Sequence, residues 1–190
     1  MRIIPLKIRR SLKKLSFKII KNNIFYGKNV IIDPATIIDN RKNRVSLGDN
    51  VYLRSISKGY HAGMPFPTNI LLDVKGAEVL IGDNSRINGA YIHAKKHISI
   101  GANCVIASGV NILDSNGHRL NSSDRTISKD IPEEIIIADN VWIGLNCIIL
   151  KGTKIGKNSV VSAGSVVKGI FPADSIIQGN KAEVIQRKIK

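Results

Sequence analysis

Residues 135–168 read IIIADNVWIGLNCIILKGTKIGKNSVVSAGSVVK. At intervals of six within this stretch stand Ile137, Ile143, Ile149, Ile155, Val161 and Val167. A helix repeats every 3.6 residues and a strand every 2, and neither keeps a period of six over such a length. A period of six describes a chain that turns after each short flat segment, with one aliphatic side chain per segment entering a shared interior. Three segments close a triangular coil of about 18 residues. This predicts that Ile137 stacks on Ile155, Ile143 on Val161 and Ile149 on Val167, in a parallel β-helix.

Neighbouring positions fit that architecture. Four residues after the successive aliphatics come Val141, Cys147, Thr153, Ser159 and Ser165, small or β-branched as a tight corner requires. Gly144 and Gly156 directly follow two aliphatics, where a sharp bend is expected of the backbone. The same phase occurs earlier at Ile100, Ile106 and Ile112, and more loosely at Leu47 and Leu53, then Ile81 and Ile87. Between residues 55 and 98 the pattern is interrupted.

A chain of 190 residues can bury its own core as one domain. Cys104 and Cys147 fall in the small-residue slot and read as buried, reduced thiols, which suits a reducing, cytoplasmic setting. No apolar run reaches the ~20 residues of a membrane span, and the charged N-terminus argues against a secretory signal. The net charge of +15 is unevenly distributed. Arg2, Lys7, Arg9, Arg10, Lys13, Lys14, Lys18, Lys21 and Lys28 all precede the first acid, Asp33. Within residues 7–21, Ile8, Leu12, Leu15 and Ile19 form one apolar stripe with basic residues opposite, which predicts an amphipathic helix. Such a helix suits peripheral contact of residues 1–22 with an anionic membrane on its cytoplasmic face. It equally suits a cap over the first coil. Nucleic acid is not expected, because stacking aromatics and a recognition motif are lacking. The organisation expected is therefore a basic helical segment over 1–24, the β-helix over 25–178 and a tail over 179–190.

The hexad rule stops between Ile112 and Ile135, where a polar insert, 113–134, holds His118 next to Gly117. A long irregular excursion from a compact repeat is usually functional or disordered. The IGDN and IGAN turns at 81–84 and 100–103, this Gly-His pair, NVWIG at 140–144, SAGSVV at 162–167 and GN-x-A-x-VI at 179–185 follow a common pattern. Over residues 81–185 the chain resembles the hexapeptide-repeat acyltransferases, which include galactoside and maltose acetyltransferases and polysaccharide O-acetyltransferases.

The resemblance implies a left-handed coil, a homotrimer and acetyl-CoA bound in clefts between subunits. It implies that His118 is the general base, taking the proton of a sugar hydroxyl as the thioester is attacked directly, without an acyl-enzyme. Asn88 matches the asparagine that contacts the acceptor, although an asparagine ladder within the coils would account for it equally. Tyr60, in the Gly- and Pro-containing break KGYHAGMPFPTN at 58–69, and Asp114 are further acceptor candidates. Trp142 matches the tryptophan lining the pantetheine tunnel. Ala107, Ala163 and Gly164 resemble the small residues along the CoA arm, where backbone N–H groups could stabilise an oxyanion. The chain departs from the family where Lys181 replaces a proline and where residues 167–170 read Val-Lys-Gly-Ile. Contacts to the CoA 3′-phosphate then fall to Lys168, Lys181, Arg187 or Lys188.

The basic segment favours an acceptor at a membrane, a surface polysaccharide or its lipid-linked precursor. The alternatives are N-acetylation of a nucleotide-linked amino sugar, a zinc lyase using His61, His93, His97 and His118, and a non-catalytic scaffold. No metal is expected, since the histidine spacing does not match the zinc enzymes.

Overall fold

Alternation of one inward aliphatic with outward neighbours, cut every few residues by a turn, makes strands of two to four residues. The computed structural model describes residues 23–180. The first coil comprises β1 (Ile24–Tyr26), β2 (Ile31–Ile32) and β3 (Ile37–Asp39). The second comprises β4 (Arg44–Leu47), β5 (Tyr52–Arg54) and β6 (Asn69–Leu72), and the third β7 (Glu78–Ile81), β8 (Arg86–Asn88) and β9 (Tyr91–Ala94). The fourth is β10 (His97–Ile100), β11 (Val105–Ile106) and β12 (Asn111–Leu113). After the insert come β13 (Ile135–Ile137), β14 (Trp142–Ile143) and β15 (Ile148–Leu150), then β16 (Lys154–Ile155), β17 (Val160–Val161) and β18 (Val166–Val167). A seventh coil begins with β19 (Ile170–Phe171) and β20 (Ile176–Ile177).

Every third strand pairs in parallel, giving three flat faces. Face A runs from β1 to β19, face B from β2 to β20 and face C from β3 to β18. Ile137 pairs with Ile155, Ile143 with Val161 and Ile149 with Val167, as the period predicts. The aliphatics fill the prism from Ile38 to Ile177. Each fully buried side chain of this size contributes about 1.5–3 kcal/mol. Cys104 and Cys147 are buried free thiols. Their S–H groups donate to the carbonyls of Ala138 and Ser162 on the next coil, at 3.2 and 3.1 Å.

The turn glycines serve a different purpose from the one expected. Gly144 does not adopt a positive φ; a Cβ there would lie 2.7 Å from Ala163 N and 2.9 Å from Val161 O on the next coil. At Gly144 and Gly156 coil-to-coil closeness, not bending, demands glycine. The left-handed conformation falls instead two residues later, on Asn146 and Asn158, and in the equivalent turns on Asn50, Asn84, Asn103 and Asn140, at φ between 56° and 59°. Asparagine tolerates this region because its short amide bonds locally. Here the amides also bond one another along the axis, Asn50 to Asn84 at 2.9 Å, Asn84 to Asn103 at 3.2 Å and Asn140 to Asn158 at 3.1 Å.

The interruption after residue 55 is a loop, 55–68, joining β5 to β6. Thr68 ties down its end, its hydroxyl donating to Arg54 O at 2.6 Å and accepting from Gly89 N at 3.0 Å. Ser108 Oγ donates to Gly63 O, and a Cβ on Gly89 would strike Phe66 O at 2.7 Å. The loop is therefore folded down over the corner between faces B and C. The predicted helix at 7–21 and the tail residues Lys181, Arg187 and Lys188 lie outside the described residues.

Candidate active site

On face B the outward residue of each rung stands one position before the buried aliphatic. Register stacks these residues into a file, Tyr52, Arg86, Val105, Trp142 and Val160. The file floors a cleft of about 650 Å³. One wall is loop 55–68, through Gly59, Tyr60 and His61. The same side continues along the corner after the face-B strands, where Asn88, Ala107, Gly144, Ser162 and Ala163 present little bulk.

The two ends differ in chemistry. Towards the C-terminal coils the floor is Val105, Trp142 and Val160, with Trp142 54% exposed on a strand whose neighbour Ile143 is fully buried. Towards the N-terminal coils it is Tyr52, Arg54 and Arg86. Asp33 fixes Tyr52 there, accepting from its hydroxyl at 3.3 Å and from the N–H groups of Ser55 and Ile56 at 3.0 and 3.2 Å. The Tyr60 and His61 rings pack together at 4.8 Å between centroids.

Of the residues expected at a site, Asn88, Tyr60, Trp142, Ala107 and Ala163 line this one cleft. Asn88 is not part of the asparagine ladder. It is 5% exposed, and its amide nitrogen donates to Ile106 O at 2.8 Å, leaving the amide oxygen for other contacts. The N–H groups of Ala107 and Gly164 are occupied by Ile143 O and Leu145 O, at 2.9 and 2.8 Å, so neither is available to an oxyanion. The N–H of Ala163 makes no backbone hydrogen bond among the described residues. Lys168 lies away from the cleft, in a smaller hollow of about 350 Å³ with Phe171 and Gln178.

Asp114 corrects the expectation of an acceptor contact. It is fully buried, and its carboxylate accepts from the N–H groups of Lys95, Lys96 and His97 at 2.8, 2.7 and 3.0 Å. Burial raises its pKa against the opposing pull of those donors. It holds the turn between β9 and β10 and has no face towards the cleft.

His118 is exposed in the insert, which leaves β12 on face C and returns at β13 on face A. It is not among the residues lining the face-B cleft of its own chain. Its stem is rigid. Asp130 accepts from Asn116 N at 2.8 Å and from Lys151 Nζ at 2.9 Å, while Lys151 also reaches Glu133 at 3.2 Å and donates to Ile131 O at 2.9 Å. Lys151 and Asp130 are 10% and 7% exposed. His93 and His97, close in sequence, point from different faces, His93 to Asp73 at 3.0 Å and His97 to Glu78 at 3.5 Å. No cluster of three or more metal-ligating side chains occurs among the described residues. Tyr52, Arg54 and Arg86 were not singled out from sequence. Their position one residue before, or after, a core aliphatic of face B was the available signal.

Comparison with known proteins bears on the same region. A family model described as "Hexapeptide repeat of succinyl-transferase" matches residues 134–168. A protein of Escherichia coli strain K12 named as a lipopolysaccharide biosynthesis O-acetyl transferase is 35% identical over 127 residues, 61% of this chain and 64% of the relative. The chain thus spans less than two thirds of the length of the curated relatives it matches. The crystal structure of a polysialic-acid-specific acetyltransferase is 27% identical with a TM-score of 0.50, covering 88% of this chain and 87% of that one. A hexapeptide-repeat acetyltransferase of Vibrio cholerae O1 biovar eltor, solved with acetyl coenzyme A, shares the fold at 23% identity and a TM-score of 0.59, covering 100% and 80%. By its six-residue repeat and its three-faced parallel coil, the chain has the left-handed β-helix fold of these acetyltransferases and is similar in sequence to the hexapeptide-repeat acyltransferases.

Proposed function

We propose that the protein transfers the acetyl group of acetyl-CoA to a sugar hydroxyl of a cell-surface polysaccharide or its lipid-linked precursor. The face-B cleft carries this reading. Its apolar floor at Val105, Trp142 and Val160, walled by Ala107, Gly144 and Ala163, suits an extended pantetheine arm. The acetyl coenzyme A bound by the Vibrio relative and the O-acetyl transferase name of the Escherichia relative support the same donor and reaction.

In the proposed reaction the acceptor hydroxyl gives its proton to the neutral His118 imidazole as its oxygen attacks the thioester carbonyl. The carbonyl carbon becomes tetrahedral and its oxygen carries the negative charge. Collapse forms the ester, breaks the carbon–sulfur bond and returns the proton to the departing CoA sulfur. Because His118 and the cleft leave the coil from different faces, the base serves the cleft of a neighbouring copy, and the working unit is a homotrimer. The basic residues before Asp33 would hold that unit beside an anionic membrane surface on its cytoplasmic side.

His118→Ala lowers transfer by about 10²–10⁴-fold while leaving the oligomer intact. CoA release by the purified protein and mass spectrometry of surface glycans from cells carrying each form provide the readout. An active variant refutes the role of His118, and acetyl found on an amine rather than a hydroxyl refutes O-acetylation.

A further inference from the structure

Arg54 and Arg86 stand on adjacent rungs at the end of the cleft remote from Trp142 and Val160. Arg86 belongs to the outward file, between Tyr52 and Val105. Arg54 lies opposite Asn88 on the preceding rung. Neighbouring rungs are about 4.8 Å apart, so both guanidinium groups can approach one small anion.

Among the described residues neither arginine forms an ion pair. Other basic side chains on the coil do, Arg44 with Glu78 at 3.7 Å and Lys154 with Glu134 at 2.8 Å. Arg54 is nonetheless held. Its guanidinium lies 4.9 Å from the Tyr52 ring centroid and 5.6 Å from that of Tyr60. Such stacking covers the faces of the planar group and leaves its in-plane N–H donors for a carboxylate or phosphate. Two unpaired like charges side by side repel each other, and an anion between them converts that repulsion into binding.

The phosphates of CoA are the first competitor for this role. A donor with its pantetheine arm on Val105, Trp142 and Val160, and its thioester towards Asn88, carries its phosphates past Val160. That is the opposite end from both arginines. The acceptor enters at theirs.

We infer that Arg54 and Arg86 recognise an anionic oxyacid group on the acceptor, the carboxylate of an acidic sugar or the phosphate of a phosphorylated one. This rests on the acetyl-transfer reading for the naming of the ligand as acceptor. Isothermal titration calorimetry of the full chain, saturated with CoA, tests it with paired probes. One pair is a glucuronate-containing tetrasaccharide and its carboxyl-reduced counterpart; the other is glucose 1-phosphate and glucose. An acidic probe should bind about 10–100-fold tighter than its neutral partner. The pair that discriminates identifies the source of the charge. Arg54→Gln and Arg86→Gln should each remove most of the difference without changing the Kd for CoA or the thermal midpoint.

Equal binding within both pairs, or no binding of either acidic probe, overturns the inference. A loss of CoA affinity equal to the loss of probe affinity overturns it too, by giving the arginines to the donor. Probe discrimination that persists in a protein unable to transfer acetyl would refute the acetyl-transfer reading and leave the arginine site standing. Acetyl transfer without discrimination would do the reverse.

Discussion

At the scale of single residues, the Gly-x-Asn turn divides its labour. In IGDN at 81–84, a Cβ on Gly82 would meet Ala102 N and Gly101 C at 2.6 Å, both backbone atoms that cannot swing aside. Asn84 takes φ of 59° and links Asn50 to Asn103 through its amide. Gly82→Ala should therefore lower stability by about 1–3 kcal/mol through overpacking. Asn84→Ala should cost a similar amount by combining a strained φ with a broken ladder, and Asn84→Gly should cost less, because only the ladder is lost. Urea midpoints for the three variants check the order. The core file was legible because buried aliphatics repeat at one spacing. The reason for each glycine was not, since closeness to a residue about 20 positions away leaves no local mark. Asp114 misled for the same reason: a polar residue at the edge of an insert reads as exposed until its three N–H donors, on a different strand pair, are placed around it.

At the scale of elements, two loops interrupt the coil and both are clamped. The insert 114–134 hangs on Lys151, a β15-to-β16 turn residue whose ammonium is buried among Asp130, Glu133 and Ile131 O. Burial works to raise the Asp130 pKa, but Asn116 N–H and the Lys151 ammonium prevail and lower it. Burial works to lower that of Lys151, and Asp130 and Glu133 prevail and raise it. A lowered carboxylate stabilises above its unfolded value and loses this as pH falls through the folded one. A raised ammonium stabilises below its unfolded value and loses this as pH rises through the folded one. The clamp therefore holds from below the ordinary carboxylate range to above the ordinary lysine range. Lys151→Met leaves Asp130 buried without its cation, a defect worth about 3–5 kcal/mol. It should speed hydrogen exchange at Asn116 and Glu133 while the strands stay protected, and reduce kcat with little change in the KM for acetyl-CoA. Unchanged exchange in the insert would refute the clamp. Sequence announced the insert through the lapse of the hexad, yet not its anchor, because Lys151 occupies an ordinary repeat position. The Gly- and Pro-containing break at 58–69 was legible in the sequence, while the docking of loop 55–68 over Gly89 and Ser108 depends on contacts across coils.

At the scale of the whole molecule, His118 and the cleft belong to different sides of one prism. If the base serves a neighbour, a protomer with an intact cleft and one with an intact His118 should repair each other. Co-expressing His118→Ala with Ala107→Trp, which fills the cleft, should restore about a quarter of native activity in randomly mixed trimers, although each variant alone is inactive. Sedimentation should give three times the 20.8 kDa chain mass. No recovery in verified mixed trimers would mean that each chain completes its own site. The trimer itself was an expectation from family likeness, and nothing in the period of six encodes it.

The stacked rungs also set how such a cleft can change over evolutionary time. Neighbours along its floor, Arg86 and Val105 or Trp142 and Val160, are separated by a full coil of chain, so each belongs to its own repeat. Lengthening the groove by inserting a repeat adds about 4.8 Å and one floor residue, and leaves the register of every other rung untouched. Groove length is thus quantised, and a lineage can fit longer or differently charged substrates by duplicating whole coils and then rewriting one exposed position in each.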